Sequence, residues 1–208
     1  MPYGYLGTAA DQTVRNSGIL SINDTAELTA EGKLGGSLEL IAEETYSGAV
    51  ASIDFTSIQE NKYDVHYLSL TNFQTASDNV EEFKIQFYES GVLETASVYQ
   101  SAFQRGRTNG TFTEYRTTAR DALYINQNGG NATNEKSCGY VYFYNLGDSS
   151  KYSFATQQTI VTQKDSVQNI TFGSSVLPQA STVDGIRIKP TSGNYSSFKA
   201  SLYGIAES

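Results

Sequence analysis

The chain has 208 residues, with 14 Lys and Arg against 22 Asp and Glu, one His, one Cys and no Trp. A formal net charge of -8 and an isoelectric point near 4.6 argue against nucleic acid as a partner, because phosphate binding needs clustered basic side chains. A single Cys closes no disulfide within the chain, and a single His excludes sites built on two imidazoles or a Cys/His cluster, which removes most zinc chemistry.

A chain of this length buries about 70% of its unfolded surface, enough for one core without cross-links. Its first seven residues hold no basic run, apolar stretch or small-residue cleavage site, and no apolar run approaches about twenty residues. Neither a signal peptide nor a membrane-spanning helix is predicted. In that setting the N-x-S/T triplets at Asn23, Asn109, Asn131, Asn169 and Asn194 are chance matches. Residues 1–18 carry Pro2, Gly4, Gly7 and Gly18 around Tyr3, Tyr5 and Leu6, and read as an extended arm with no core of its own. Ser21 with Asp24 three positions on resembles a capping box, and Gly32 is a stop, so one short helix is predicted from about Ile22 to Glu31. Its apolar face of Ile22, Ala26 and Leu28 needs a partner, because two or three turns are unstable alone in water. Gly35 and Gly36 then form a flexible joint, which divides the chain into a docking segment, 1–36, and a β domain, 37–208.

From Ser37 onward the period is two. Leu38 and Leu40 open a strand, Ile53 and Phe55 alternate with polar neighbours, and Phe83, Ile85 and Phe87 do the same. The pattern returns at Val141 and Phe143, at Ile186 and Ile188, and at Phe198, Ala200 and Leu202. Less regular strands are expected within 63–73, 97–104, 111–115, 123–126, 153–159 and 168–173, with polar loops at 75–79, 105–110, 126–134, 147–150 and 191–196. About ten strands without long helices between them predict an all-β, antiparallel, jelly-roll-like sandwich carrying the arm and one short helix. Phe83, Ile85, Phe87, Val141, Phe143, Ile186, Ile188 and Leu202 are expected to face inward together.

No constellation demands catalysis. Glu43, Glu44, Asp54, Asp64, Glu81, Glu82, Glu89 and Glu94 offer carboxylates, but no spacing marks a pair for glycoside hydrolysis. Asp78, Asn79, Glu81 and Glu82 form the densest acidic cluster and do not fit a calcium loop. His66 is expected to satisfy a core or edge hydrogen bond, and Cys138 to be a small buried or partly exposed thiol; neither lies in a nucleophile motif. Catalytic residues, metal ligands and cofactors are therefore all expected to be none.

The strongest local feature is aromatic, with 15 Tyr and 10 Phe. If Val141 and Phe143 are core, Tyr140, Tyr142 and Tyr144 line the outside of one strand, as sheet cover, subunit interface or ligand platform. Packing or a protein interface is favoured there over glycan binding.

The chain resembles a family of small virion structural proteins of tailed bacteriophages, especially those of marine cyanobacteria and other marine bacteria. The resemblance rests on MPYGYLGT (1–8), GKLGGSLELI (32–41), SIDFTSI (52–58), NLGDSSKYSF (145–154), LPQASTVDGIRI (177–188) and the closing SLYGIAES (201–208), and so covers essentially the whole chain. The Ser-Leu-Tyr-Gly-Ile ending is its most specific part, a feature of many phage fibre and decoration modules. It implies a non-enzymatic particle component located on the virion and assembled in the host cytoplasm, where no disulfide is needed. The expected function is a capsid decoration or short fibre protein that docks on other capsid or tail proteins through Tyr3, Tyr5, Leu6, Ile22 and Leu28 and projects its β domain. A homo-oligomer is expected, with a trimer favoured, and without nucleic acid or membrane as partner. The alternative is a receptor-binding tail-fibre or adhesin module contacting host-surface glycans.

Overall fold

The computed structural model describes residues 23, 25–27, 37–78, 83–126 and 128–206. Asn23, Thr25, Ala26 and Glu27 are helical, while the rest of the expected helix and all five expected docking residues, Tyr3, Tyr5, Leu6, Ile22 and Leu28, lie outside the described residues.

Thirteen strands follow: β1 (Leu38–Val50), β2 (Ile53–Phe55), β3 (Val65–Thr75), β4 (Phe83–Glu89), β5 (Val92–Leu93), β6 (Tyr99–Arg107), β7 (Phe112–Arg120), β8 (Leu123–Asn126), β9 (Ser137–Tyr144), β10 (Tyr152–Thr162), β11 (Gln168–Ala180), β12 (Val183–Pro190) and β13 (Tyr195–Ile205). Eight form one antiparallel sheet in the order β1-β13-β3-β9-β10-β11-β6-β7, and a smaller sheet runs β2-β12-β4-β5, with β8 also paired to β4. Together they make the expected antiparallel, jelly-roll-like sandwich.

All eight residues expected in the core are buried, and they join one cluster in which Phe87 meets Phe143 edge-on at 5.7 Å. A second aromatic knot holds the end near β13, where Phe73 packs edge-on against Tyr195 at 5.2 Å. Pro178 sits where the β10/β11 register shifts between Tyr152 and Ser153, so its missing N–H costs no ladder bond there. Tyr63 precedes β3 instead of belonging to it, and its buried ring lies across Gly204 where any side chain would collide.

Leu38 and Leu40 depart from expectation. Both are more than half exposed, and they point to the outside of the large sheet. A register shift between Leu40 and Ala42 follows them, and Ile41 and Ala42 pack against the core instead. β8 is also unlike a simple alternating strand, because all four of its residues are buried. It is held from the large sheet by side chains: Gln157 Nε2 donates to the Tyr124 carbonyl at 2.6 Å, and Thr159 Oγ1 to the Ile125 carbonyl at 2.9 Å.

Candidate functional site

The outside of the eight-stranded sheet is organised in rows that cross the strands. One row runs from Leu40 through Tyr203, Tyr67 and Tyr142 to Thr156, Ser174, Ala102 and Arg116. Beside it runs Leu38, Ile205, Val65, Tyr144, Phe154, Val176 and Gln100, with no charged residue. On the other flank lies the row Glu43, Ser201, Ser69, Tyr140, Gln158, Phe172, Gln104 and Glu114. A fourth row is best formed at one side, where Cys138, Ile160, Ile170, Gly106 and Phe112 follow one another.

Tyr67 is the hub of the tyrosines. Its ring centroid is 5.0 Å from that of Tyr142, 6.0 Å from that of Tyr203 and 6.1 Å from that of Tyr140. Burial first, and then the neighbouring Tyr142 phenol, raise its hydroxyl above the usual tyrosine range, so it stays neutral at physiological pH. Tyr140 donates to Gln158 Oε1 at 2.9 Å, and the Tyr144 and Thr156 hydroxyls are 3.1 Å apart. The expected trio of Tyr140, Tyr142 and Tyr144 thus lies together on the outer face, half-buried by its neighbours.

The apolar surface extends well beyond that trio. Ten large apolar side chains among the described residues are well exposed, and all except Tyr46 and Val92 lie on this one face: Leu38, Leu40, Phe112, Tyr152, Phe154, Ile160, Ile170 and Phe172. β10 and β11 are the cause. Their Phe154, Ile160, Ile170 and Phe172 point outward while Ser153, Gln157, Thr159, Asn169, Thr171 and Ser175 are buried on the inside. Gln157 and Thr159 of β10 bond to β8, Ser175 donates to Ser101 at 2.8 Å and Asn169 Oδ1 accepts from Arg107, while Ser153 Oγ, Gln157 Oε1, Asn169 Nδ2 and Thr171 Oγ1 are buried without a partner. The Phe112 ring lies over Gly106, and a Cβ there would stand 3.1 Å from it. Between β10 and β7, small Ala102 and Ser174 leave a shallow depression of about 800 Å³ bordered by Gln100, Arg116, Phe154 and Val176.

Sequence reasoning found the tyrosines of β9 and missed Tyr67, Tyr203 and the apolar side chains of β10 and β11. Alternation in 152–160 does place Tyr152, Phe154 and Ile160 on one side, but nothing local says that this side faces out.

Of the residues weighed for chemistry, Asp54 and Glu43 are paired with cations, Glu89 and Glu94 lie side by side, and His66 keeps a buried Nδ1 without a partner. His66 is buried on the inner side of β3, with Nε2 2.8 Å from the Ile58 carbonyl, and Cys138 is exposed on the outer side of β9. Burial, opposed by the Ile58 carbonyl and by Glu60, leaves the His66 imidazole below its usual pKa. Asp54 is paired with Arg187, and Glu43 with Lys199 at 3.0 Å. Glu81 and Glu82 lie outside the described residues, as does Asn79. Glu89 and Glu94 do come together: oriented with its nitrogen toward them, the Gln179 amide donates to Glu89 Oε2 at 2.9 Å and Glu94 Oε2 at 3.3 Å. Burial holds Glu89 above the usual carboxylate range, with Glu94 adding to the rise and a bond from Ser181 opposing it. Among the described residues no group of three or more His, Cys, Asp or Glu could hold a metal ion, and no helix is long and apolar enough to cross a membrane.

No family model matches the chain, and no curated protein matches it. Among solved structures, that of a protein of unknown function from Shewanella oneidensis MR-1 aligns over 92% of this chain and 98% of its own, at 8% identity and a TM-score of 0.27. A likeness at that score carries no argument about fold or function.

Proposed function

We propose that the chain is a structural protein of a bacteriophage virion, a capsid decoration or short fibre component that attaches through residues 1–36 and projects its β domain. One observation carries the reading: eight of the ten well-exposed large apolar side chains among the described residues are gathered on a single sheet face, while the acids weighed for chemistry that the structure describes include two held in ion pairs. That is the surface of a molecule that works by binding area. The segments that resemble phage structural proteins support it, and the glycine of the closing Ser-Leu-Tyr-Gly-Ile has a packing reason, since Tyr63 covers Gly204.

Mass spectrometry of purified particles tests the reading, with hundreds of copies per particle expected for a decoration protein and tens or fewer for a tail component. A protein lacking residues 1–36 should fold and no longer join particles. Absence of the chain from the particle would overturn the proposal.

A second reading is favoured by the depression beside Phe154, where an aromatic face adjoins Arg116, Gln100, Thr156 and Ser174. Sugars are held by such mixtures of ring faces and hydrogen-bonding groups. In that reading the chain is a receptor-binding module for host-surface glycans, and binding to a glycan array that is lost in Phe154→Ala would select it.

A further inference from the structure

The geometry points to a second copy of this chain as the occupant of the outer face of the eight-stranded sheet, the two sheets packing face to face about a two-fold axis. The inference holds whether or not the protein sits on a particle.

Side-chain direction in β10 and β11 is the first argument. A sheet that faces water on one side turns its apolar residues inward and its polar ones outward. Here Phe154, Ile160, Ile170 and Phe172 are turned outward, against buried Gln157, Thr159, Asn169 and Thr171. Outward apolar side chains on adjacent strands are the pattern of a sheet covered on both sides, and among the described residues only the inner side is covered, by the five-stranded sheet.

Size is the second. At about 4.8 Å between strands and about 6.7 Å between rows, the positions filled in the four rows give a face of roughly 900 Å². A stable protein interface of standard size needs about 800 Å² from each partner. Two sheets of this kind pack aligned, about 10 Å apart, with side chains interdigitated.

Charge is the third, and it selects a like partner. The chain carries a net charge of -8, yet the rows described above hold two acids, Glu43 and Glu114, and one base, Arg116, and Lys199 on the same side neutralises Glu43 at 3.0 Å. The face is therefore close to neutral while the molecule is strongly acidic. Its charges stay near the edges of the sheet, on β1 and β13 at one side and on β7 at the other, with one acid and one base on each. Two copies can meet on such a face without opposing like charge, and an isologous contact uses the same patch twice. The trimer expected from the sequence gives way to a pair in this arrangement.

Cys138 is a native reporter. It is the only cysteine of the chain, it is exposed in the single copy, and it lies beside Ile160 on the face in question. The experiment measures solution mass by light scattering, and Cys138 alkylation by a maleimide, on the full chain across a concentration series. The expected mass rises to twice the 22.7 kDa of one chain, and alkylation slows roughly tenfold as the pair forms. Phe172→Glu and, separately, Phe154→Glu should restore the single-chain mass and fast alkylation with an unchanged β circular dichroism spectrum. A single-chain mass at every concentration with fast alkylation overturns the inference. Slow alkylation at a single-chain mass also overturns it, because the cover then comes from the same chain. So does a larger mass that survives both substitutions, or a mass of three copies.

Discussion

On the outside of the five-stranded sheet, Arg187 Nε donates to Asp54 Oδ1 at 2.6 Å, Tyr88 donates to the same carboxylate at 2.7 Å, and Lys84 reaches Asp121 at 3.1 Å. On the outside of the eight-stranded sheet the corresponding positions hold tyrosine, phenylalanine and isoleucine. Both faces belong to antiparallel sheets of one sandwich, and both sheets give apolar side chains to the core between them, to which β10 and β11 of the large sheet add buried polar ones. The first is finished for water, with Arg187 and Lys84 each matched to a carboxylate. The second leaves apolar rows whose side chains are only half covered by one another. The difference teaches that a sandwich core can be complete while the molecule still has apolar surface to bury, so the tyrosine-rich face is spare to the fold and available for binding.

The comparison is tested most severely by equal substitutions on opposite sides of the large sheet. Phe143→Ala, inside, should cost about 3–5 kcal/mol in urea unfolding. A cost below about 1 kcal/mol would mean that the inner face is not the core.

Neighbouring residues of β3 sharpen the same point, since His66 faces in and Tyr67 out. Because burial lowers the His66 pKa in the folded state, its contribution is fully present above the unfolded value of about 6.5. It falls away as pH drops below that value through the lower folded pKa, by at most about 1.4 kcal/mol per pH unit. Thermal unfolding between pH 8 and pH 5 should show this loss in the wild type and not in His66→Gln; parallel profiles would sink it.

The charged face responds to acid. Burial raises the Asp54 pKa, but bonds from Arg187, Tyr88 and Ser52 outweigh it and leave the carboxyl below its ordinary range. Its stabilisation is thus present above the unfolded value of about 3.9 and is lost as pH falls through the lower folded value. Asp54→Asn should cost about 1 kcal/mol at neutral pH, a figure already reduced for partial exposure, and less in acid. A difference from wild type that is the same at pH 7 and in strong acid would contradict this.

Smallest of all, Phe172→Ala should change the unfolding free energy of dilute protein by no more than about 0.5 kcal/mol. The cost should grow with protein concentration if the face is covered by a second copy. A large cost in dilute protein would place Phe172 in the core of the single chain and erase the contrast between the two sides.

Period two in the sequence was sufficient to identify strands at Ile53, Phe83, Val141, Ile186 and Phe198, because each presents large apolar residues on one parity and polar ones on the other. The same argument placed Tyr140, Tyr142 and Tyr144 outside as soon as Val141 and Phe143 were taken as core. It failed at Leu38 and Leu40, where apolar residues of the right period face outward and a register shift brings Ile41 and Ala42 to the core. It was silent at β5, whose two residues, Val92 and Leu93, are too few to show a period.

Alone, then, the sequence determined the class of the fold, its apolar core and the aromatic character of one strand's outer side, since these follow from composition and from a period that each strand carries within itself. Tertiary structure decided which side of β10 and β11 is inside. Both parities there contain apolar residues, and Gln157 and Thr159 turn inward because the carbonyls of Tyr124 and Ile125, more than thirty residues away, are there to accept their hydrogen bonds. The order of strands decided the rest. It brought Tyr67, Tyr142 and Tyr203 from three separate segments into one row, and a lateral neighbour of that kind has no trace in local spacing.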